Sequence, residues 1–198
     1  AYVGGITRVR GLFEMVSAVQ QLPDSYNTTL ALAGPFFPSK LRSELNEVLA
    51  SDGSNKRVEI LGYLTRDAVS ELLNKARIGI VTLHPTEKYV ESYPTKLFEY
   101  MSVGIPVVAS NFPVWREIVE NAKCGLVVDP LDPTAIASAI RWLFDNVQEA
   151  KRMGERGRVA VEEKYNWALE GEKLLELYRR LNRSKRLSSI SGDTPQGD

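Results

Sequence analysis

The sequence predicts an α/β fold: a Rossmann-like, doubly wound and mainly parallel sheet of about six strands with helices on both faces. Short apolar runs alternate with longer amphipathic stretches along the chain, and this repeated strand–helix order is typical of a parallel sheet. The 198 residues, 43% of them apolar, suffice for one domain with a sizeable core. We expect that domain over residues 1–181, followed by a disordered polar tail over 182–198.

The predicted strands are short runs that are mostly β-branched or bounded by turn residues. They are Ala1–Gly4, Thr28–Ala33, Arg57–Leu61, Ile78–Leu83, Pro106–Ser110 and Gly125–Val128. The stretches around them have helical patterns, and one of these begins at Thr65, a good capping residue. The predicted helices are Leu12–Gln21, Pro38–Ala50, Thr65–Leu73, Pro94–Val103, Val114–Asn121, Pro133–Asp145, Val147–Lys164 and Trp167–Leu181.

Charge and cysteine content narrow the classes of function. Lys and Arg together number 25, as do Asp and Glu, so no global field favours nucleic acid as a partner. The single Cys124 excludes an internal disulfide framework and fits a reducing, cytoplasmic location. No apolar run approaches the roughly 20 residues of a membrane span. Because the chain opens on strand-like residues without a signal peptide or an initiator Met, we expect a fragment whose upstream part has been removed.

The helix predicted from Pro94 has free N–H groups at its start. Proline suits the first turn of a helix, which would put Ser92 or Tyr93 at the cap. The N–H groups of Thr95 and Lys96 then have no partner within the helix and lie at its positive end. Such a helix start is suited to binding an anion.

Two carboxylates flank this helix start. Glu91 comes just before it, and Glu99 lies about one and a half turns inside the helix. Because carboxylates accept hydrogen bonds from hydroxyls, the pattern fits a ligand with an anion in the middle and a polyol at each end, such as a nucleotide-sugar. The sequence has no Asp-x-Asp pair and no His/Cys cluster with metal-ligand spacing, so we expect no metal and no other cofactor.

Several segments, in order along the chain, resemble one family. The stretch from Glu91 to Glu99 resembles the E-x7-E signature of the family-four retaining GT-B glycosyltransferases. The other similar segments are Tyr2-Val-Gly-Gly with Arg10-Gly11, Leu61-Gly-Tyr-Leu64, Leu97 to Asn111, and Gly125-Leu-Val-Val-Asp129-Pro. Because these segments follow one another in the order of the family, we expect the resemblance to cover residues 2 to about 181, nearly the whole chain.

The resemblance implies the C-terminal, donor-binding half of a two-domain GT-B enzyme, whose N-terminal acceptor domain is absent from this chain. It implies retaining transfer of a hexose or N-acetylhexosamine from a UDP-sugar, with no transfer by the fragment alone. The usual Gly-rich stretch between the two glutamates reads Ser-Tyr-Pro-Thr here. Members that assemble bacterial surface glycans such as O-antigen or capsule resemble this variant, so we expect that role.

The resemblance also implies which residues bind the donor. They are Gly4, Gly5, Arg10, Gly62, Tyr63, Leu64, Glu91, Ser92, Tyr93, Pro94, Thr95, Lys96 and Glu99. Glu91 would bind the hydroxyls of the donor sugar, which the next three residues line, and Glu99 would bind the ribose. The N–H groups of Thr95 and Lys96 would hold the diphosphate, and the segment 62–64 would contact the base. The expected catalytic residues are Glu91 and Arg10. Arg10 would act by stabilising the charge of the leaving diphosphate.

The chain departs from the family at the end of the first strand. The family commonly has a Gly-Arg pair there and a Lys-Gly pair a few residues later, whereas this chain has Gly4-Gly5 and Arg10-Gly11. Arg10 can replace the lysine, but Gly5 cannot replace the arginine. Either Arg8 or Lys96 would then have to supply the second cationic contact to the diphosphate.

Several residues also have simpler interpretations. His84, the single histidine, is expected to have a structural role rather than to act as a general base. Cys124 is expected to pack as a small apolar residue, and Tyr63 either contacts the base or fills the core. The expected core or domain-contact residues are Trp115, Trp142 and Trp167.

A basic cluster near the end of the last predicted helix has two interpretations. Its members are Arg179, Arg180, Arg183, Lys185 and Arg186. The favoured one is attraction of cations to the helix C-terminus together with a solvated tail. The alternative is adhesion to the anionic inner face of the cell membrane, where a lipid-linked acceptor would be found.

Two other functions fit the same sequence. One is half of a sugar-nucleotide epimerase or hydrolase, which needs acid–base groups around the sugar. The other is a module that binds a nucleotide-sugar without catalysis. A P-loop nucleotide hydrolase is disfavoured, because no Lys-Ser/Thr pair follows Gly5 and Gly11.

Overall fold

The structure is a computed structural model that describes residues 1–51 and 56–190, with side chains up to residue 182. The strands are β1 (Tyr2–Val3), β2 (Leu30–Ala33), β3 (Val58–Gly62), β4 (Gly79–Val81), β5 (Val107–Ser110) and β6 (Gly125–Val128). The helices are α1 (Leu12–Gln20), α2 (Leu41–Ser51), α3 (Arg66–Lys75), α4 (Glu87–Val90), α5 (Thr95–Ser102), α6 (Pro113–Ala122), α7 (Pro133–Asp145), α8 (Val147–Glu163) and α9 (Trp167–Ile190).

The six strands are parallel and lie in the order β3-β2-β1-β4-β5-β6. Hydrogen-bonded pairing forms two groups of three, β1-β2-β3 and β4-β5-β6. Ala1 joins the groups, since its nitrogen donates to the Ile78 carbonyl at 2.6 Å and its carbonyl accepts from the Ile80 N–H at 3.0 Å. The strand order therefore reverses between β1 and β4, and the predicted doubly wound α/β fold is confirmed. Ligands of such sheets bind beyond the carboxyl ends of the strands at this reversal.

Helices cover both faces of the sheet. Buried apolar residues of α1, α2 and α7 belong to one core cluster, and those of α3, α5 and α6 belong to the other. Full burial of a large aliphatic or aromatic side chain contributes about 1.5–3 kcal/mol each, so these two clusters hold the helices in place. Thr65 caps α3 as predicted, with its hydroxyl accepting from the Ala68 N–H at 3.4 Å.

Tyr100 anchors α5 at the strand-order reversal. Its buried hydroxyl accepts from the Val3 N–H at 3.1 Å and donates to the Ile80 carbonyl at 3.4 Å, so it bridges β1 and β4. The absence of a side chain at Gly79 lets the ring pack there, because a Cβ at that position would lie 2.4 Å from the ring. The start of α5 is thereby held at a fixed place relative to the end of β1.

The start of α5 and the short helix α4 differ from the sequence predictions. α5 begins at Thr95, and Pro94 is its N-cap with φ −82° and ψ 103°, so the placement of Pro94 in the first turn with Ser92 or Tyr93 at the cap was wrong by one residue. The extended ψ of Pro94 keeps it outside the helix, while its carbonyl accepts from the Leu97 N–H at 3.0 Å. The short helix α4 lies in a stretch that had no predicted element.

The last helix is longer than predicted. α9 continues to Ile190 instead of ending at Leu181, because a solvated polar segment can remain helical without burying a core face. Residues 191–198 of the predicted tail lie outside the described residues, as do the side chains of Arg183, Lys185 and Arg186. Arg179 and Arg180 are exposed well inside α9, so attraction to a helix end does not explain them.

The tryptophans differ widely in burial. Trp115 is fully buried, which confirms its predicted core position, whereas Trp167 is 90% exposed and Trp142 is partly exposed. The core interpretation is therefore wrong for Trp167, and a contact with another domain stays a prediction. Cys124 packs in the core as predicted, and burial raises its pKa to about 11. Over the described ranges, no helix is both long enough and apolar enough to span a membrane.

Candidate functional site

The loops that follow four strands adjoin one another at the carboxyl edge of the sheet. The Gly4 N–H donates to the carbonyl at the end of β2 at 2.8 Å, and the Gly34 N–H donates to the Gly62 carbonyl at 2.7 Å. On the other side, the His84 N–H donates to the Val9 carbonyl at 2.9 Å. The loops after β3, β2, β1 and β4 therefore form one continuous edge, and the sequence-predicted site residues lie on it or at the start of α5.

The start of α5 presents unpaired backbone donors. Within the part of the chain that the structure describes, the N–H groups of Thr95 and Lys96 have no hydrogen-bond acceptor, whereas the next one, on Leu97, is bonded to Pro94. These two donors lie at the positive end of the helix dipole. The site can therefore bind an anion at this point.

The segment before α5 is held by the loop itself and by the core. The Ser92 hydroxyl donates to the Tyr89 carbonyl at 3.0 Å, and the Ser92 carbonyl accepts from the Trp115 indole N–H at 2.7 Å. Glu91, at the end of α4, and Tyr93 are exposed, while Pro94 is buried. The backbone is thus fixed, and the side chains of Glu91 and Tyr93 are accessible to a ligand.

Glu99 lies one turn beyond the free N–H groups, on the same helix. Its side chain is exposed and lies near Lys96, whose pKa it raises in part. The structure therefore places one accessible carboxylate on each side of the helix start, as the spacing of Glu91 and Glu99 predicts.

Arg10 lies against the loop after β1. Its Nη1 donates to the Gly5 carbonyl at 2.9 Å, and the Tyr2 hydroxyl donates to the same oxygen at 2.8 Å. Burial acts to lower the pKa of Arg10, but the hydroxyls of Tyr89 and Tyr2 outweigh it, so the pKa is raised. The Arg10 Nε is buried and unpartnered among the described residues. Burial has the opposite effect on the phenol of Tyr2 and raises its pKa to about 12.

The two candidates for the second cation are placed differently. Arg8 forms an ion pair with Glu44 and stacks over the Phe13 ring, with 4.7 Å between its guanidinium carbon and the ring centroid. Lys96 instead lies over the end of β1, with Nζ 5.6 Å from the centroid of the Tyr2 ring. The structure brings Lys96, and not Arg8, beside Arg10.

The segment predicted to contact a base lies two strands away, after β3. Gly62 has a left-handed φ of 68°, which turns the chain at the end of the strand. Tyr63 is 82% exposed, so the alternative that it fills the core is wrong. Leu64 is half-buried. The exposed Tyr63 ring can stack on a planar ligand group.

Sequence reasoning missed a set of buried polar atoms on the loops after β1 and β4 and at the start of α1. Those without a hydrogen-bond partner among the described residues are Thr7 Oγ1, Arg10 Nε, Glu14 Oε2, Thr82 Oγ1 and Thr86 Oγ1. The His84 Nε2 also lacks good hydrogen-bond geometry, but it is not unpaired, because it lies 3.0 Å from the other carboxylate oxygen of Glu14. Buried polar atoms are rarely left unpaired, so their concentration at one edge marks the place where a ligand or water binds. No local signal in the sequence pairs Glu14 with His84, because the two are 70 residues apart (84 minus 14).

Phe37 is a second missed residue. Its ring is 59% exposed, and its N–H donates to the Ile6 carbonyl at 2.8 Å, which holds it beside the loop after β1. The ring reaches to 3.6 Å from the Cβ position of Gly5. The sequence does contain an indication of this residue. An aromatic pair between Pro35 and Pro38, just after a predicted strand, indicates an exposed aromatic loop.

A cavity of about 260 Å³ lies at the opposite, amino edge of the sheet. Ala1, Leu22, Arg77, Ile140 and Phe144 are among the residues that line it. Because ligands of doubly wound sheets bind at the carboxyl edge, and the unpaired polar atoms are found there, we place the functional site at that edge and not in this cavity.

Comparisons with known proteins place the chain in a family. The family model described as "Glycosyl transferases group 1" matches residues 1–160. Among curated proteins, alpha-D-kanosaminyltransferase of Streptomyces kanamyceticus is 23% identical over 181 residues, which are 91% of this chain and 45% of that protein. The chain thus spans about half the length of the curated relatives it matches.

Solved structures show the same fold. HepE of Anabaena, in complex with UDP, matches with a TM-score of 0.79 and 20% identity over 90% of this chain and 48% of that one. The C-terminal domain of the group 1 glycosyl transferase LpcC from Francisella tularensis matches with a TM-score of 0.71 and 20% identity over 84% of this chain and 85% of that one. These likenesses confirm the expected fold, the C-terminal half of a GT-B glycosyltransferase.

Proposed function

The chain belongs to the group 1 glycosyl transferases, and we propose that it is the donor-binding half of a retaining, family-four glycosyltransferase that uses a UDP-sugar. The observation that carries the proposal is the pair of unpaired N–H groups at the start of α5, beside Arg10 and between Glu91 and Glu99. They lie where the strand order reverses, the usual ligand position in such sheets. The UDP complex of the structurally similar HepE supports the choice of nucleotide.

In this proposal the donor lies along the carboxyl edge of the sheet. The N–H groups of Thr95 and Lys96 hold its diphosphate, and Glu99 accepts from the ribose hydroxyls. Glu91 accepts from hydroxyls of the sugar, lined by the backbone of residues 92–94. The exposed Tyr63, with Gly62 and Leu64, contacts the base at the β3 end of the edge.

The mechanism follows from where charge develops. As the bond from the sugar to the diphosphate breaks, the sugar becomes oxocarbenium-like and the diphosphate gains negative charge. Arg10 and the N–H groups at the start of α5 stabilise that charge more strongly in the transition state than in the ground state. We propose that no metal is required, because fixed donors of this chain supply that stabilisation.

The rest of the enzyme belongs to the proposal as well. A further, N-terminal domain would bind the acceptor and close the cleft, so this chain alone would bind donor without transferring sugar. We propose assembly of a bacterial surface glycan as the setting, in line with the Ser-Tyr-Pro-Thr stretch. Adhesion of the basic residues of α9 to the inner membrane, close to a lipid-linked acceptor, stays a prediction from the sequence.

Calorimetry with UDP tests the proposed function. Glu99→Gln should lower the affinity for UDP about tenfold, because a carboxylate that accepts from both ribose hydroxyls is replaced by a neutral amide. The affinity for inorganic pyrophosphate, which has no ribose, should not fall. Glu172→Gln, at an exposed position on α9, serves as the matched control. Absence of UDP binding by the unmodified chain at millimolar concentration would refute the proposed function.

A further inference from the structure

Two cationic side chains converge on the end of β1. Lys96 lies over Gly4 so closely that a Cβ on that glycine would be 2.5 Å from Cε and 2.9 Å from Nζ. Arg10 lies over the next residue, where a Cβ on Gly5 would be 2.8 Å from Nη1. Because Gly4 and Gly5 are consecutive, both positive charges occupy the same small region, immediately beside the free N–H groups of α5.

Neither Lys96 nor Arg10 forms an ion pair with a carboxylate of the described residues. Glu99 lies near Lys96 and acts on its charge, but the two side chains are not within ion-pair distance. Burial and the nearby Arg10 lower the pKa of Lys96, against a smaller opposite effect of Glu99. Two partly buried like charges disfavour each other, and a polyanion bound between them would remove that cost.

Gly4 is required for this arrangement. Its φ of 123° is one that side-chain-bearing residues rarely adopt, and any Cβ would displace the lysine. The Lys96 Nζ lies instead over the Tyr2 ring, 5.6 Å from its centroid, and that ring is itself buried in the core. The ammonium group is thus seated at the end of β1 and does not extend from the first turn of α5 into solvent.

We propose that the Lys96 side chain is a second diphosphate-binding cation of the donor site, acting with Arg10 across the glycine pair at the end of β1. This inference rests on the proposed function and deepens it, because it names a side-chain contact in addition to the Lys96 N–H. It also explains how a chain with glycine at position 5 binds a diphosphate with two cations.

The arrangement makes donor binding dependent on pH. In the free chain the pKa of Lys96 is lowered, and a bound diphosphate raises it again by favouring the charged form. Near the lowered pKa, binding therefore takes up a proton, and the affinity for UDP decreases as the pH rises through that range. Without a ligand, pH acts on the stability of the fold in the opposite direction. The protonated Lys96 amine lowers the free energy of unfolding at neutral pH, and this cost disappears as the pH rises.

Calorimetry on the 198-residue chain tests the proposal with UDP and UMP as the probes. Lys96→Met keeps the apolar stem and should lower the affinity for UDP about tenfold, with a smaller effect on UMP because it carries less negative charge. Lys96→Arg should retain UDP binding. The matched control is Lys164→Met, because Lys164 also lies over a tyrosine ring, at 5.1 Å, but at an exposed site.

A second measurement needs no variant. UDP binding by the unmodified chain, measured at increasing alkaline pH in buffers of different ionisation enthalpy, should show proton uptake that begins below the usual titration range of lysine. Lack of uptake, or UDP affinity within about twofold of the unmodified chain in Lys96→Met, would overturn the role of the lysine. If Glu99→Gln is impaired and Lys96→Met is not, only this inference fails; if the unmodified chain binds no UDP, the proposed function fails with it.

Discussion

Under the proposed function, replacing Glu91 by Gln in the full-length protein should lower the rate of glycosyl transfer about a hundredfold, on the order of 3 kcal/mol of transition-state stabilisation. The reason is that the sugar develops positive charge as the diphosphate departs, and a carboxylate beside it favours that state. The fold should tolerate the change, because Glu91 is exposed and makes no side-chain hydrogen bond or ion pair within the described residues. A change in the free energy of unfolding below about 0.5 kcal/mol is expected.

Steady-state kinetics and a thermal melt measure both parts of this prediction. Glu87→Gln is a suitable control, since Glu87 is an exposed carboxylate at the other end of the same short helix α4. An unchanged turnover number in Glu91→Gln would remove Glu91 from the catalytic site. A loss of activity matched by a large drop in melting temperature would show a structural role instead.

Replacing Arg10 by Gln should lower the affinity of the chain for UDP by roughly ten- to a hundredfold, because hydrogen bonds to charged groups contribute about 1.5–3 kcal/mol. The loss should diminish at high salt, as expected for a charge interaction at a partly exposed site. The loop itself should persist, because the Gly5 carbonyl keeps the hydrogen bond from the Tyr2 hydroxyl.

Arg8→Gln is the control for this second prediction. Arg8 is two residues away, exposed, and paired with Glu44 at the surface, and such pairs contribute about 0–1 kcal/mol. Equal losses of UDP affinity in the two variants would contradict the account, since they would point to a general effect of net charge. Isothermal calorimetry at low and high salt separates these outcomes.

The local features of the site could be predicted from the sequence. A proline at the start of a helix predicts free N–H groups there, and the two nearby glutamates predict carboxylates on either side of them. Both predictions need only the geometry of neighbouring residues. The alternation of strands and helices likewise indicates the sheet class, and most of the predicted boundaries lie within a few residues of the observed ones. The exceptions are the end of α9 and the short helix α4, which had no predicted counterpart. The predicted position of Pro94 in the first turn of α5 is a small boundary error of this type, because proline suits both the N-cap and the first turn of a helix.

The contacts between distant segments could not be predicted in the same way. Lys96 reaches Gly4, and Glu14 reaches His84, only because β1 and β4 are neighbours at the reversal of strand order. No pattern of residues along the chain encodes such a pairing, which depends on tertiary packing. Trp167 shows the converse: an aromatic residue in an amphipathic pattern predicts a core or domain-contact position, and within this chain its side chain is exposed.

The proposed donor site depends on the N–H groups of Thr95 and Lys96, which we expect to hold the diphosphate of a nucleotide-sugar. Titration of the isotope-labelled chain with UDP, followed by amide NMR, tests this contact. We expect the largest chemical-shift changes at Thr95 and Lys96, with smaller ones at Gly5 and Tyr63. Shift changes confined to the cavity near Arg77 and Phe144, with the start of α5 unaffected, would contradict it.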